Sequence, residues 1–184
     1  MGRWALAQSP VGVTLQSDCI KAPHHHAVII PVVSSTGTEA KMSLNSIDKE
    51  RIRILWSKIS KDSDAIGAEA LGRLFAAHPQ TKTYFTHFKD FTYNSPQVKE
   101  HGKLVMKGIK QAYENIDDMV TGLLDLSEKH AFTLRVDPSN FKLLSSCFHV
   151  VLSKRYPNDY TDEAHLSFDK FLANVALALS EKYR

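Results

Sequence analysis

Two histidines, His101 and His130, interrupt helical stripes that are otherwise apolar. His101 lies between Val98 and Val105, and His130 falls one turn after Leu126 and one turn before Leu134. One histidine on an apolar helix face is most simply a half-buried, hydrogen-bonded residue. Two of them, on helices joined by the short connection 115–122, suggest more. An antiparallel helix pair can point both imidazoles into one apolar slot. Such a slot suits a flat apolar cofactor with a metal at its centre, because a neutral imidazole nitrogen is a good ligand for iron. The other ring nitrogen then needs an acceptor to fix the tautomer. For His130 two acceptors are in helical register, the Leu126 carbonyl and the Ser127 hydroxyl. The facing histidine is too far to bind the metal when a diatomic gas sits between, and can donate a hydrogen bond to that gas instead. Phe85, Phe88 and Phe141, with Leu126, Leu134, Val136, Leu144 and Leu179, supply apolar walls, although the same residues would also make an ordinary core. Lys103 and His87 are placed near the mouth, with exposed, solvated charge as their simpler reading.

The elements that must hold these residues are helices. Ile52, Leu55, Trp56 and Ile59 recur at i, i+3, i+4, i+7. Ile66, Ala70 and Leu74 form a second stripe, and Val98, His101, Val105, Ile109 and Ala112 a third. Leu123, Leu126 and His130 follow, then Phe141, Leu144, Phe148 and Leu152, then Leu166, Phe171, Val175 and Leu179. Ser95-Pro96, Asp137-Pro138 and Thr161-Asp162-Glu163 read as helix starts, with a capping side chain ahead of proline or of acids that suit the helix dipole. No alternating segment competes. The expectation is an all-α chain of about six long helices with one or two short ones. Gly67 and Gly102 each cost a helix interior about 1 kcal/mol relative to alanine. One on each of two helices predicts that those helices cross closely.

Composition narrows the classes. The chain has 184 residues, 43% hydrophobic and 23% charged, with a formal net charge of +3. That suits one domain able to bury a core without staples. Two cysteines exclude a cystine-rich scaffold. Cys147, in an apolar helix, reads as a buried reduced thiol, and Cys19 has no evident partner. The weak positive charge, with no long basic run, gives no case for nucleic acid. The longest apolar run, Ala27–Val33, is broken by Pro31 and falls far short of the about 20 residues a membrane helix needs. The sequence holds no GxxxxGK[ST], HExxH or GxGxxG, and scattered Ser, His and Asp support no triad without geometry.

Residues 43–184 resemble the α subunits of vertebrate haemoglobin, of a fish type. The resemblance rests on Thr81-Lys82-Thr83-Tyr84-Phe85, on Val98-Lys99-Glu100-His101-Gly102-Lys103, on the run from Leu134 to Leu144, and on Leu166 to Leu172. The terminal Lys182-Tyr183-Arg184 is similar to α chains, whereas β chains of the family usually end Tyr-His. The resemblance implies the globin fold, haem b with its iron, reversible binding of O2 without chemistry, and the red-cell cytosol. It implies that His130 is the proximal ligand and His101 the distal residue. Val105 would lie beside the gas, Phe85 would stack on the haem, and His87 and Lys103 would lie near a propionate. Tyr84, Phe88, Leu126, Leu134, Val136, Asn140, Phe141, Leu144 and Leu179 would complete the haem contacts. It further implies pairing with β-globin chains as an α2β2 heterotetramer, with Thr83, Tyr84, Asp137, Asn140, Tyr183 and Arg184 at or near the switching interface. Gln80 and Thr86 depart from the family's threonine and proline there. His149 also departs, standing where an aliphatic residue is common; it reads as an altered subunit contact or a buried proton-sensitive group. The other classes are a monomeric or dimeric haem protein and a helical binding module with no cofactor.

Residues 1–41 differ in kind. Proline and glycine recur every few residues, no helical period survives, and the segment is a poor signal peptide. His24-His25-His26 can bind a metal only loosely, because adjacent side chains diverge and no fourth ligand is near. The division expected is an unstructured extension over 1–41, an upstream-start or gene-model artefact or a disordered leader, and a globin domain over 42–184.

Overall fold

Side-chain caps set where several of the helices begin. The computed structural model describes residues 43–183. Their order is α1 (Ser46–Ile59), α2 (Ser63–Ala77), a 3₁₀ segment (Pro79–Phe85), α3 (Pro96–Glu114), α4 (Met119–Gly122), α5 (Leu124–Glu128), a π-helical segment (Lys129–Leu134), α6 (Ser139–Arg155), α7 (Asp162–Leu179) and a final 3₁₀ turn (Glu181–Tyr183). The expectations for residues 1–41, with the histidine run and Cys19, and for Met42 and Arg184 lie outside the described residues. Asn45 starts α1 by accepting from the Asp48 N–H at 2.8 Å, while the Asp48 carboxylate accepts from the Asn45 N–H. Ser95 and Thr161 cap α3 and α7 as their sequences require. At Asp137-Pro138 the helix begins one residue later than the dipeptide suggests. The Asp137 carboxylate accepts from the Ser139 N–H at 2.9 Å, and α6 starts at Ser139.

The architecture is all-α, with no strand among the described residues. Five helices run 14 to 19 residues. The sixth long element is composite, α5 passing directly into the π segment, and the connection 115–122 contains the short α4. α2 packs on α3 and α6, α1 on α7, and α6 on α7, while α4 and α5 also rest on α7. Ile52, Ile59, Ile66, Leu71, Phe75, Val98, Val151, Leu152 and Phe171 are fully enclosed in the core. One stripe is corrected. Leu166 is 55% exposed, because the buried face of α7 is Phe168, Phe171, Leu172 and Val175. Five residues from Phe171, Leu166 is rotated by roughly 140° around the helix.

The glycine pair does what its spacing predicts. A Cβ at Gly67 would sit 2.4 Å from the Gly102 carbonyl oxygen, and one at Gly102 would sit 2.6 Å from the Ala68 nitrogen. The backbones of α2 and α3 therefore touch where they cross, and this contact sets how α3 presents His101.

Asp48, on the inner face of α1, is buried and ties that helix to α7. It accepts from the Ser167 hydroxyl at 2.9 Å and from the Lys170 ammonium at 3.0 and 3.2 Å. Burial disfavours its charge, but hydrogen bonds from Lys170, Ser167 and Asn45 outweigh that and hold the carboxyl below its usual range. A carboxyl depressed in the folded state contributes stability that is present above about pH 4 and lost as pH falls through the native pKa. Asp48→Asn is expected to lose about 2–3 kcal/mol at pH 7, seen as a lower urea midpoint. Its midpoint should also decline less steeply than the parent's below about pH 4.

Candidate cofactor pocket

The pocket is assembled from three pieces of chain. The first is the aromatic end of the 3₁₀ segment and the loop after it. Phe85 and Phe88 stand edge-on to the His101 ring, with centroids 4.9 and 6.2 Å away. Phe75 of α2 backs them, 5.0 Å from Phe85 and 6.3 Å from Phe88. Phe75 escaped notice as a site residue because it reads as core; its signal was that it continues the buried stripe of α2 towards the aromatic run. Gln97 was also missed. Its side chain donates to the His87 carbonyl at 3.0 Å and accepts from the Lys89 N–H at 2.9 Å, so the first turn of α3 clamps the loop that carries His87 and Phe88.

The second piece is α3. It contributes His101, which is half-buried, and Val105, which packs against the core. Burial lowers the pKa of His101 first, and the charges of His130, His87 and Lys129 lower it further. The two histidines thus lie near enough to sense each other across the pocket. Farther along, a Cβ at Gly108 would meet Leu126 at 3.5 Å, and Gln111 donates to the Gly122 carbonyl at 2.7 Å. These contacts hold α3 against the α4–α5 stretch.

The third piece carries His130. Its Nδ1 lies 2.7 Å from the Leu126 carbonyl oxygen. A carbonyl only accepts, so Nδ1 carries the proton and Nε2 keeps its lone pair. The sequence left two acceptors open, and the structure removes one. The buried Ser127 hydroxyl donates to the Leu179 carbonyl at 2.9 Å and accepts from the Lys182 N–H at 3.0 Å, fastening the C-terminal end of the chain instead. Burial lowers the His130 pKa, opposed by the Leu126 hydrogen bond and assisted by Lys129. Both imidazoles are therefore neutral at physiological pH, the state in which imidazole ligates a metal. His130 sits in the π-helical segment, which ends at Arg135 in the left-handed region with φ 51°. A non-glycine residue there costs about 1–2 kcal/mol. That strained turn reverses the chain into α6, whose Phe141 stands edge-on to His130 at 5.4 Å.

The remaining sequence-derived residues divide. Leu126, Leu144 and Leu179 pack on the core, and Val136 is half-buried, whereas Leu134 is 45% exposed. His87 is exposed with its ring against Phe88 at 4.8 Å, and Lys103 is exposed and pairs with Glu100 at 3.5 Å. Tyr84 belongs with a different group. Its hydroxyl accepts from the Asp137 N–H at 3.1 Å and from the Asn140 amide at 3.4 Å. Tyr183 lies beside them. Its buried hydroxyl has no hydrogen-bond partner among the described residues, and burial, then Tyr84 and Asp137, push its pKa up. Thr83 is exposed on the same 3₁₀ segment. Cys147 is buried and free, its thiol pushed up by burial.

The donor set is one imidazole with an oriented free nitrogen, a second half-buried neutral imidazole within electrostatic reach of it, and aromatic and aliphatic side chains around them. That chemistry fits a flat, largely apolar, metal-centred group such as haem. Comparison with known proteins agrees. The globin family model matches residues 68–179. The chain is 58% identical over 142 residues to the haemoglobin subunit alpha of Lycodes reticulatus, covering 77% of this chain and all of that one. It is 59% identical over 142 residues to haemoglobin subunit alpha 1 of Eleginops maclovinus, with the same coverage. It is 58% identical over 142 residues to the haemoglobin subunit alpha of Thunnus thynnus, covering 77% of this chain and 99% of that one. With these matches spanning the helices that build the pocket, the chain belongs to the globin family, among the fish-type haemoglobin α subunits.

Proposed function

We propose that the chain is an oxygen-transport subunit of the haemoglobin α type, a carrier rather than an enzyme. It would bind haem b and assemble with β-globin chains as an α2β2 tetramer in the red-cell cytosol. Residues 42–184 form the globin unit of this reading and residues 1–41 its N-terminal extension. The observation that carries it is the His130 Nδ1–H held by the Leu126 carbonyl at 2.7 Å, which leaves Nε2 free, with His101 close enough to feel its charge.

When bound, the haem supplies an iron position at which a diatomic gas binds reversibly. The rest is the work of side chains. His130 would hold the iron through Nε2, its ring fixed by the Leu126 carbonyl and braced edge-on by Phe141. His101, kept neutral by burial, holds one N–H to donate to a polar guest. Phe85, Phe88, Val105, Leu126, Val136, Leu144 and Leu179 would exclude water, which opposes oxidation; Leu134, 45% exposed, adds little to this. Tyr84, Asp137, Asn140 and Tyr183 cluster together and, with Thr83 and Arg184, would serve the subunit interface. His87 and Lys103 are exposed, and the His87 ring N–H and the Lys103 ammonium would meet the cofactor's carboxylates.

An absorbance spectrum with and without oxygen tests the reading, on protein mixed with fish β chains and sized in solution. The expected result is a five-coordinate spectrum without gas, a reversible change with oxygen, and a tetramer. A six-coordinate low-spin spectrum without gas, or colourless protein after haem-supplemented expression, overturns it. His101→Leu is expected to retain haem while oxygen release accelerates about 10- to 100-fold, the loss of one hydrogen bond worth about 1–3 kcal/mol. Stopped-flow release at an unchanged rate would remove His101 from the distal role.

A further inference from the structure

His149 is one residue of α6 that the oxygen-binding reading leaves unused, and the structure ties it into the chain itself. Its Nδ1 lies 2.5 Å from the Tyr160 hydroxyl and its Nε2 3.1 Å from a carboxylate oxygen of Asp169. Tyr160 is buried in the turn that leads into α7, and Asp169 is on α7. The His165 ring, one turn before Asp169, is 4.6 Å away between centroids, and the Phe168 ring stands edge-on at 6.3 Å. One imidazole thus joins three parts of the chain: α6, the turn, and α7.

The proton count of this chain of bonds admits one arrangement. An ionised Asp169 only accepts, so Nε2 of His149 must carry a proton. A neutral imidazole has only that proton to give, so Nδ1 accepts from the Tyr160 O–H. Every donor then has an acceptor. A second proton on His149 turns Nδ1 into a donor, and the buried Tyr160 hydroxyl loses the acceptor of its own proton. A buried hydroxyl left without an acceptor is costly. The groups facing the ring are Tyr160 from the turn and Asp169 and His165 from α7. Asp169 favours the imidazolium, while burial and a protonated His165 oppose it more strongly and hold the pKa of His149 down.

We propose that Tyr160, His149 and Asp169 form a proton-operated clasp, which fastens α6 to α7 and its leading turn while the imidazole is neutral and loosens on acidification. Tyr160 is held far above the ordinary tyrosine range by burial and by Asp169, so it acts here as a hydroxyl donor and never as a phenolate.

Histidine side-chain NMR on the full-length, haem-loaded chain tests this. Neutral His149 is expected as the Nε2–H tautomer, titrating below the ordinary histidine range. The two isosteric variants should shift it in opposite directions. Tyr160→Phe removes the bond that favours the neutral ring and raises the midpoint; Asp169→Asn removes the charge that favours the imidazolium and lowers it. An Nδ1–H tautomer, shifts of the same sign, or no shift overturns the clasp. Stability gives a second readout. Below about pH 6.5 the unfolded chain binds the proton that folded His149 resists, so stability falls with pH. His149→Leu should show a smaller fall in urea midpoint between pH 8 and 5.5 than the parent, and an equal fall overturns the proposal.

Discussion

Replacing His130 with glycine is expected to strip the chain of its haem. Among the described residues, the His130 ring is the imidazole whose other nitrogen is set free by a backbone acceptor, with Nδ1 committed to the Leu126 carbonyl. Even the loss of a supporting hydrogen bond at a metal site weakens affinity about 10- to 100-fold. Loss of the ligand itself should exceed that, so transfer of haem to an apoglobin scavenger should accelerate by more than about 100-fold. The fold should survive, because His130 is only half-buried and contributes no part of the enclosed core. Free imidazole should restore part of the visible spectrum by entering the space the side chain leaves. Unchanged haem transfer would refute the ligand assignment. Haem loss together with helix loss would show that the residue acts on the fold.

The second large effect is expected at the crossing of α2 and α3. In Gly102→Val, the added Cβ would stand 2.6 Å from the Ala68 nitrogen and 2.8 Å from the Gly67 carbonyl carbon, both backbone atoms that no rotamer change can move. Overpacking ordinarily costs about 1–3 kcal/mol, and contact with the unyielding backbone of α2 places this substitution at about 3 kcal/mol or above. For a chain of this size that is roughly 6–12 °C of melting temperature. The same wedge would push α3 away from α2 and carry His101 with it. Oxygen release should therefore accelerate as well, although position 102 does not touch the gas. A melting temperature within about 2 °C of the parent would show that the helices separate without cost. By contrast, Gly108→Ala should stabilise by up to about 1 kcal/mol, because its Cβ would meet only Leu126 at an ordinary 3.5 Å and alanine is the better helix former.

These two cases mark where the sequence was readable. The glycine pair could be read because a glycine inside a helix has a known local cost and few reasons to be there. The Ser95, Thr161 and Asn45 helix starts are decided within four residues, by one side chain and one N–H. His101 and His130 stood out because polar residues on apolar stripes demand a partner. Leu166 was misread because the eye accepts a five-residue gap as helical, whereas the face it must share closes at three and four.

Other features have no local signature. Nothing between positions 11 and 20 residues apart signals that Tyr160 and Asp169 will meet His149, since each lies on a different element. Asp48 and Lys170 meet across the whole length of the domain. Ser127 and the Leu126 carbonyl were equally placed for His130 until the C-terminal turn docked and claimed the hydroxyl. Helix order, helix lengths and the two candidate histidines thus follow from periodicity and capping, which depend only on near neighbours. Which acceptor fixes His130, which apolar residue is left in water, and which groups surround His149 follow from how the helices cross, because hydrogen bonds and burial depend on which distant segments the fold brings to contact distance.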